Sequence, residues 1–295
     1  MTALDTKLNE IRHNIDAIDD EMLQLIKKRL DLVHQVGKLK SEHTQDGISF
    51  IRPGREAVML RRISNAFEDN TTRAAVAQIW RIIISSAINI EEDTCISALS
   101  CPGNDESYWL AREYFGAFSK MERRPTVMEI LHDVYKRHSS VGVIPLWDKD
   151  TPRPWWSRIL DEANPPFIFA TLPFIQRAES TRSPLVALGY VNPEPTEDDE
   201  SYWVIETDEK VPFSSLRSIL ENAGLDFNHC ERCRVIQNPT IHHHLICVNG
   251  FTNPESVEVT RFETLANEQF SSSEVRITMR YLGAYAKPIK LHATP

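Results

Sequence analysis

The chain has 295 residues, enough for two or three domains, and its 41% apolar and 25% charged residues are typical of a soluble globular protein. A formal net charge of −9 argues against nucleic acid as the main partner, and no apolar run approaches the ~20 residues that a membrane-spanning helix needs. The first residues, MTALDTKLNEI, lack the basic and apolar regions of a signal peptide, and five cysteines do not suggest a disulfide framework, so a cytoplasmic location is expected.

The first predicted element is one long helix over residues 6–42, which contain no proline and only one glycine. Apolar residues recur there in two rows with heptad spacing, the pattern of a helix that packs along its length against another helix. At 1.5 Å per residue this helix is ~54 Å long, too long for a compact monomeric domain of this size, so we expect a homodimer. The two rows are Leu4, Ile11, Ile18, Leu25, Leu32 and Leu39, and Leu8, Ile15, Met22, Arg29 and Val36.

Two further helices are predicted in the first third of the chain. The residues TQDG predict a loop, and the segment that follows has Pro53 in the position favoured at a first helical turn. A third helix is predicted over residues 69–93, with Asn70 or Thr71 as its N-cap. Residues 1–95 are therefore expected to form an all-helical domain of three helices.

Beyond these helices, short β-type runs such as CISAL, PFIFATL and SPLVALGYV alternate with helical segments, the rhythm of an α/β domain. Residues 190–200 are polar and contain two prolines, which predicts a linker. The last part predicts strand, helix, strand, strand, helix, strand, the βαββαβ order of a ferredoxin-like sandwich. The predicted domains are 1–95, 96–198 and 199–295.

Each predicted N-terminal helix carries one ionisable residue on its apolar face. Arg29 lies in the middle of a heptad row with apolar neighbours on both sides, where an unpaired guanidinium would be very costly to bury. Glu56 lies four residues before Leu60 on the stripe of the second helix, and Glu91 follows the stripe of the third. The alternative for each glutamate is that it lies near a helix end, where apolar stripes often become polar. Arg29 therefore gives the clearest indication of an anion-binding site.

Two more basic residues of the first helix extend this pattern. Lys40 is 11 positions from Arg29, a net rotation of about 20° at 100° per residue, so both face one side of the helix. Arg12 lies ~25 Å from Arg29 along the axis, so it could reach such a site only on a partner chain in an antiparallel or crossed dimer. Several cations and a few carboxylates in one small cavity suit a compact dianion. The alternative for Lys40 and Arg12 is that they are ordinary surface side chains.

The first third of the chain contains the segments EIRHNIDAIDDEMLQLIKKRLDLVHQVGKLK, FIRPGREAVMLRRI and IWRIIISSAINIEE. Together they resemble the all-helical chorismate mutase domain found at the N-terminus of the bifunctional chorismate mutase–prephenate dehydratases. The resemblance covers residues 6–92 in order and implies an intertwined dimer that binds chorismate between its helices. It also implies that Glu91 lies against the ether oxygen that breaks and that Arg12 comes from the other subunit. The residues matched to catalytic roles are Arg29, Lys40 and Glu91, and those matched to substrate binding are Arg12, Arg55 and Glu56.

The implied reaction converts chorismate to prephenate by a concerted pericyclic rearrangement, with no covalent intermediate, metal or cofactor. Catalysis would come from holding the enolpyruvyl arm over the ring and from fixed donors that stabilise charge on the ether oxygen. Two residues depart from the pattern of some relatives, Arg52 in place of an aspartate and Ala87 in place of a serine, and either could weaken substrate binding. The alternatives are an isochorismate pyruvate lyase that uses the same pocket and a non-catalytic partner that regulates another enzyme of the aromatic pathway.

The rest of the chain resembles the later parts of the same bifunctional proteins, with changes. Thr181 and Arg182 match a dehydratase motif, but too few residues separate VIPLWD from STRS for the second lobe of that family. Residues 96–198 are therefore expected to be a truncated, non-catalytic dehydratase-like domain. Residues 199–295 resemble an ACT regulatory domain, which implies an amino-acid effector, although its binding motifs are altered. The altered motifs are Val211-Pro212-Phe213 for GAL and Glu231-Arg232-Cys233-Arg234 for ESRP.

A group of cysteines and histidines, HCERC followed by HHH and Cys247, has the composition of a zinc site. In a hairpin that turns at QNPT, Cys233 would oppose His244 and Cys230 would oppose Cys247. Because Cys230 and Cys233 are an odd number of residues apart, their side chains would leave opposite faces of a regular strand. The ligands would not converge, so no metal is predicted.

Overall fold

A computed structural model of the chain describes residues 3–43, 51–91, 93–147, 153–177, 184–235, 238, 240–270, 275 and 277–291. Its first part is all helical, as predicted. The helices are α1 (Ala3–His43), α2 (Pro53–Ser64) and α3 (Asn70–Glu91). In the described ranges, no helix is both long enough and apolar enough to cross a membrane.

The start of α2 agrees with the sequence prediction, whereas the N-cap of α3 differs from it. Helix α2 begins at Pro53, as predicted. The predicted N-cap of α3, Asn70 or Thr71, is wrong, because Asp69 accepts hydrogen bonds from the backbone N–H of Thr72 at 2.7 Å and from its hydroxyl at 2.6 Å. The loop predicted at 44–47 lies outside the described residues.

Strands and helices alternate in the second part of the chain, confirming the predicted α/β pattern. Its elements are β1 (Cys95–Leu99), α4 (Glu106–Phe115), β2 (Lys120–Arg124), α5 (Val127–Tyr135), β3 (Val141–Pro145), α6 (Trp155–Arg158), β4 (Phe167–Leu172), β5 (Ile175–Arg177) and β6 (Leu185–Gly189). The third part contains β7 (Asp199–Asp208), α7 (Phe213–Ala223), β8 (Phe227–Arg234), β9 (Ile241–Asn249), α8 (Val257–Phe270), β10 (Ile277–Ala286) and β11 (Ile289–Leu291).

One sheet runs through both of these parts, with its nine strands in the order β2-β1-β3-β6-β4-β10-β7-β9-β8. The strands β10-β7-β9-β8 are antiparallel neighbours, and their order is that of the ferredoxin-like sandwich predicted from the βαββαβ pattern. The two parts join where β10 lies parallel to β4, with Gly283 opposite Ile168. A Cβ atom on Gly283 would collide with the backbone of Ile168, so this close approach requires glycine.

Helices α2 and α3 pack against the α/β part of the chain. Leu60 of α2 and Ile84 of α3 share one hydrophobic core with Ile96 of β1 and Phe115 of α4. The segment 190–200, predicted as a linker, also packs on α2. There Arg52 Nε donates a hydrogen bond to Glu194 Oε1 at 2.6 Å, and Arg61 Nη1 donates one to the hydroxyl of Thr196 at 2.8 Å. The α/β part therefore fixes the outer faces of α2 and α3.

The register of the strand pair β8–β9 differs from the predicted hairpin by one residue at Cys233 and by two residues at Cys247. Cys233 lies opposite His243 and Asn228 lies opposite Cys247, and the register shifts at Cys230. The extra residue in this bulge turns Cys230 to the same side as Cys233, and both pack against one core, so the prediction of opposite faces is wrong. Among the described residues, no three His, Cys, Asp or Glu side chains are placed to hold a metal ion.

Candidate active site

A cleft of about 340 Å³ between α1, α2 and α3 is lined by Arg29, Glu56 and Glu91, the three charged residues predicted to lie on apolar stripes. This volume is that of a small-molecule pocket. Arg29, Leu32 and Val36 are spaced i, i+3 and i+7, so they present one face of α1 to the cleft. The polar lining residues are Arg29, Arg52, Arg55, Glu56 and Glu91, and the apolar ones are Leu32, Val33, Val36, Met59, Ile84, Ala87 and Ile88.

Arg29 is half-buried in the middle of α1 and reaches α3, where its Nη1 donates a hydrogen bond to the carbonyl oxygen of Ile83 at 3.4 Å. Burial lowers the pKa of Arg29, repulsion from Arg55 lowers it further, and attraction from Glu91 raises it. These three side chains are therefore close enough to interact. A bound anion would favour the charged form of both arginines and offset their desolvation and repulsion.

Glu56 is buried, and donors on two sides hold its carboxylate. Arg81 Nη1 donates to Oε2 at 2.7 Å, and the backbone N–H of Arg52 donates to Oε1 at 3.2 Å. Burial raises the pKa of Glu56, and Arg81 opposes this rise by stabilising the charged form. A carboxylate offers about four acceptor positions, so Glu56 can still accept a hydrogen bond from a hydroxyl in the cleft.

Arg81 is absent from the predicted site residues, although its position carries the same signal as that of Arg29. It lies four residues after Ala77 and three before Ile84, on the buried face of α3. A charged residue on an apolar stripe needs a partner when it is buried. The second helix supplies that partner as Glu56, which the sequence pattern had singled out separately.

Glu91 ends α3 on the side of the cleft that faces α1. An ideal Cβ atom on Gly37 would stand 3.5 Å from Glu91 Cγ, so the two helices meet closely at this point. Ala87, the first of the two residues expected to depart from the family pattern, lies one turn earlier and lines the cleft. Arg52, the second departure, lies at the rim, and Glu194 neutralises its charge.

Two predicted residues are not among the described residues that line the cleft. Lys40 belongs to α1, but its side chain lies outside the described part of the structure. Arg12 is exposed, and its Nη1 donates a hydrogen bond to Asn9 Oδ1 at 3.3 Å. Its spacing of 17 residues places it ~25 Å from Arg29 along the helix axis. The single chain therefore brings together Arg29, Arg55, Glu56 and Glu91 without Arg12.

The apolar residues of the two heptad rows of α1 are exposed in the single chain, whereas Arg29, in the second row, is half-buried. The relative exposure of Ile11, Ile18 and Leu32 is 48%, 57% and 61%. Helix α1 spans 41 residues, or ~60 Å, and its contacts within the described chain are chiefly with α3. A continuous exposed apolar surface of this length is typical of a protein–protein interface.

Comparison with known proteins finds a family that the residues around the cleft resemble. Residues 11–92 match the model of the family described as chorismate mutase type II. A bifunctional chorismate mutase/prephenate dehydratase from Aquifex aeolicus is 26% identical over 144 residues, which are 48% of this chain and 39% of that protein. The T-protein of Haemophilus influenzae is 46% identical over 54 residues, 18% of this chain and 14% of that protein.

A prephenate dehydratase from Streptococcus mutans, known from an X-ray structure, has a TM-score of 0.47 and 14% sequence identity to this chain, with 67% of this chain and 100% of that one covered. The chain matches less than half the length of the bifunctional relative from Aquifex aeolicus. The residues that line the cleft all lie within the matched range, whereas helix α1 begins before it, at Ala3. The part of the chain that lines the cleft is therefore similar to the chorismate mutase type II family.

Proposed function

We propose that the protein is a chorismate mutase, an isomerase that converts chorismate to prephenate in aromatic amino acid biosynthesis. The observation that carries this proposal is the cleft itself, where Arg29, Arg55, Glu56 and Glu91 meet within the matched residues 11–92. Two arginines suit the two carboxylates of chorismate, because guanidinium groups bind carboxylates through charge-assisted hydrogen bonds. The test is to incubate the purified full chain with chorismate and to measure the decrease in chorismate absorbance.

The proposed mechanism assigns one task to each charged side chain. Arg29 and Arg55 bind the substrate carboxylates, and Glu56 accepts a hydrogen bond from its hydroxyl group. Glu91 lies against the ether oxygen, on which negative charge develops as the C–O bond breaks, and it donates a hydrogen bond there when the carboxylates of the bound substrate keep it protonated. The new C–C bond forms within the same molecule, so holding the enolpyruvyl arm over the ring supplies the rest of the rate enhancement. The rearrangement neither oxidises nor reduces its substrate, and no cofactor is proposed.

A homodimer joined along α1 completes the proposed site. The exposed heptad rows would be covered by a second α1, which buries apolar surface on both chains. Arg12 is then available to the partner's cleft, where it would add a cation to those already present. Lys40 lies on the same side of α1 as Arg29, and we assign it to the substrate as a further cation.

A charge introduced into a heptad row should separate the two chains. We expect Ile18→Glu to give a monomer by light scattering and to lower kcat/KM for chorismate at least ~10-fold, because each chain would place a carboxylate in the apolar seam of the dimer and Arg12 would be lost from the partner's site. Lys27→Glu is the matched control, since it introduces the same carboxylate nine residues away on the opposite face of α1. A wild-type chain that is monomeric and fully active would contradict the shared site.

We also propose that residues 96–198 form a truncated dehydratase-like domain without activity of its own and that residues 199–295 form an ACT-like regulatory domain. The ferredoxin-like strand order supports the second assignment, and an amino acid would be its effector. Thr181 and Arg182, the residues matched to the dehydratase motif, lie outside the described residues. The effector and the cytoplasmic location remain predictions from the sequence.

The full chain should not convert prephenate to phenylpyruvate above the rate of the acid-catalysed background. The reason is that the sequence between VIPLWD and STRS is too short for a second lobe to close over the substrate. Phenylpyruvate is measured by its absorbance in alkali after incubation with prephenate. If phenylpyruvate formed above background and Thr181→Ala abolished its formation, the middle domain would be an active dehydratase.

A further inference from the structure

A buried ion pair forms the wall of the cleft at Glu56. The side chains of Arg81 and Glu56 are 6% and 8% exposed, and Arg81 Nη1 lies 2.7 Å from Glu56 Oε2. Glu56 lines the cleft, whereas Arg81 stands behind it. Arg81 can therefore act on a ligand in the cleft only through the carboxylate that it holds.

Residues of the α/β part hold Arg81 from the other side. Its guanidinium lies over the ring of Tyr114 in α4, with Cζ 4.0 Å from the ring centroid, and 5.9 Å from that of Phe174. Among the described residues, its buried Nη2 has no hydrogen-bond acceptor. The two aromatic faces attract the desolvated cation on one side, and the Glu56 carboxylate attracts it on the other. The guanidinium is therefore held between them. Tyr114 and Phe174 both lie beyond residue 92, outside the mutase domain.

The groups around Glu56 shift its pKa in opposite directions. Burial raises the pKa of Glu56 and the carboxylate of Glu194 adds to this rise, whereas Arg81 and the backbone N–H of Arg52 lower the pKa. Tyr114 of α4 faces the ion pair of Glu56 and Arg81. On the side of the cleft, Arg29 lies on α1 and Arg55 lies on α2. Arg81 makes the largest contribution that favours the charged carboxylate.

We propose that Arg81 is a positioning residue that keeps Glu56 ionised and oriented toward the substrate, and that Tyr114 of the α/β part holds Arg81 in place. The cleft of the mutase domain thus depends on a contact with the next domain of the same chain. This inference rests on the proposed mutase function, because it assigns Glu56 the role of accepting the substrate hydroxyl.

The kinetic test compares Arg81→Met and Arg81→Lys in the full chain. We expect Arg81→Met to lower kcat/KM for chorismate at least ~10-fold at neutral pH, because Glu56 takes up a proton and loses its orientation. The activity of Arg81→Met should recover as pH rises and Glu56 ionises, and Glu56→Gln in the same chain should abolish this recovery. Arg81→Lys keeps the charge and should retain more activity than Arg81→Met.

The role of the neighbouring domain is tested at Tyr114. We expect Tyr114→Leu to shift the pH profile in the same direction as Arg81→Met. Tyr114→Phe, which keeps the ring but removes the hydroxyl group that also interacts with Arg81, should shift the profile less. Thermal melting of each variant distinguishes a local effect from unfolding. An Arg81→Met chain that is folded, has kcat/KM within threefold of wild type and shows an unchanged pH profile would overturn the proposal.

A second measurement separates failure of this proposal from failure of the mutase function. Infrared difference spectra between each chain and its Glu56→Gln counterpart report the protonation of Glu56 without any substrate. The proposal predicts that the carboxylate signal persists to lower pH in the wild type than in Arg81→Met. Equal titration in both chains would overturn the role of Arg81 even in an active enzyme, whereas a wild-type chain that leaves chorismate unchanged would refute the mutase function alone.

Discussion

Replacement of Arg29 by alanine should lower kcat/KM for chorismate by at least ~100-fold, or ~2.7 kcal/mol of transition-state stabilisation. Arg29 is the cation that α1 places inside the cleft, half-buried and within electrostatic reach of Arg55 and Glu91. The variant would lose a charge-assisted contact with a substrate carboxylate in a partly desolvated site, where such contacts are strongest. The enolpyruvyl arm would then be held less precisely over the ring.

Steady-state kinetics with chorismate measure this effect, and circular dichroism checks that the helices are intact. Lys28→Ala is the matched control, because Lys28 is the adjacent basic residue, is exposed on α1 and is not among the described residues that line the cleft. Its kcat/KM should stay near that of the wild type. A change below threefold in Arg29→Ala would mean that Arg29 has only a structural role.

Replacement of Glu56 by alanine should destabilise the protein by ~3–5 kcal/mol, the usual effect of removing one partner from a buried ion pair. Arg81 would remain in the core, since its side chain is 6% exposed, with the rings of Tyr114 and Phe174 on one side and no carboxylate on the other. The cost arises from an uncompensated buried charge and not from the loss of a favourable pair. The Glu56→Ala/Arg81→Met double variant should therefore be more stable than Glu56→Ala alone.

Urea denaturation at one fixed protein concentration measures the change, because the stability of a dimer depends on concentration. Glu221→Ala provides a control within the same chain. Its partner is Arg217 at 4.0 Å, and both side chains are more than half exposed, so the pair contributes little to stability. If Glu56→Ala and Glu221→Ala had equal effects on the urea midpoint, Arg81 would not be the buried, paired residue described here.

The fold was largely predictable from local patterns in the sequence. The heptad rows predict α1, Pro53 marks the start of α2, and the βαββαβ pattern predicts the strand order of the C-terminal part. Features that depend on distant or irregular contacts were not predictable. Strand β2 has the sequence KMERR, whose charged residues give no strand signal, and it lies at the edge of the sheet, where only one neighbouring strand is needed.

The candidate site was predictable to the extent that each residue breaks an apolar stripe. Arg29, Glu56 and Glu91 each do so, and all three line the cleft. Arg81 also breaks a stripe, but the residues that hold it include Tyr114, which is 33 positions away in another domain, so its position can be explained only from the structure. The bulge at Cys230 has a similar origin, because no local signal marks the one-residue shift in its register.

The most direct test of the mutase proposal is to identify the product formed from chorismate by the purified full chain. Proton NMR of the reaction mixture distinguishes prephenate from unreacted chorismate and from pyruvate. The proposed function predicts that prephenate accumulates with the wild type, without added metal or cofactor, and that the same concentration of Arg29→Ala forms it at least ~100 times more slowly. Release of pyruvate would contradict the proposed function. Consumption of chorismate no faster than its uncatalysed rearrangement would contradict it too.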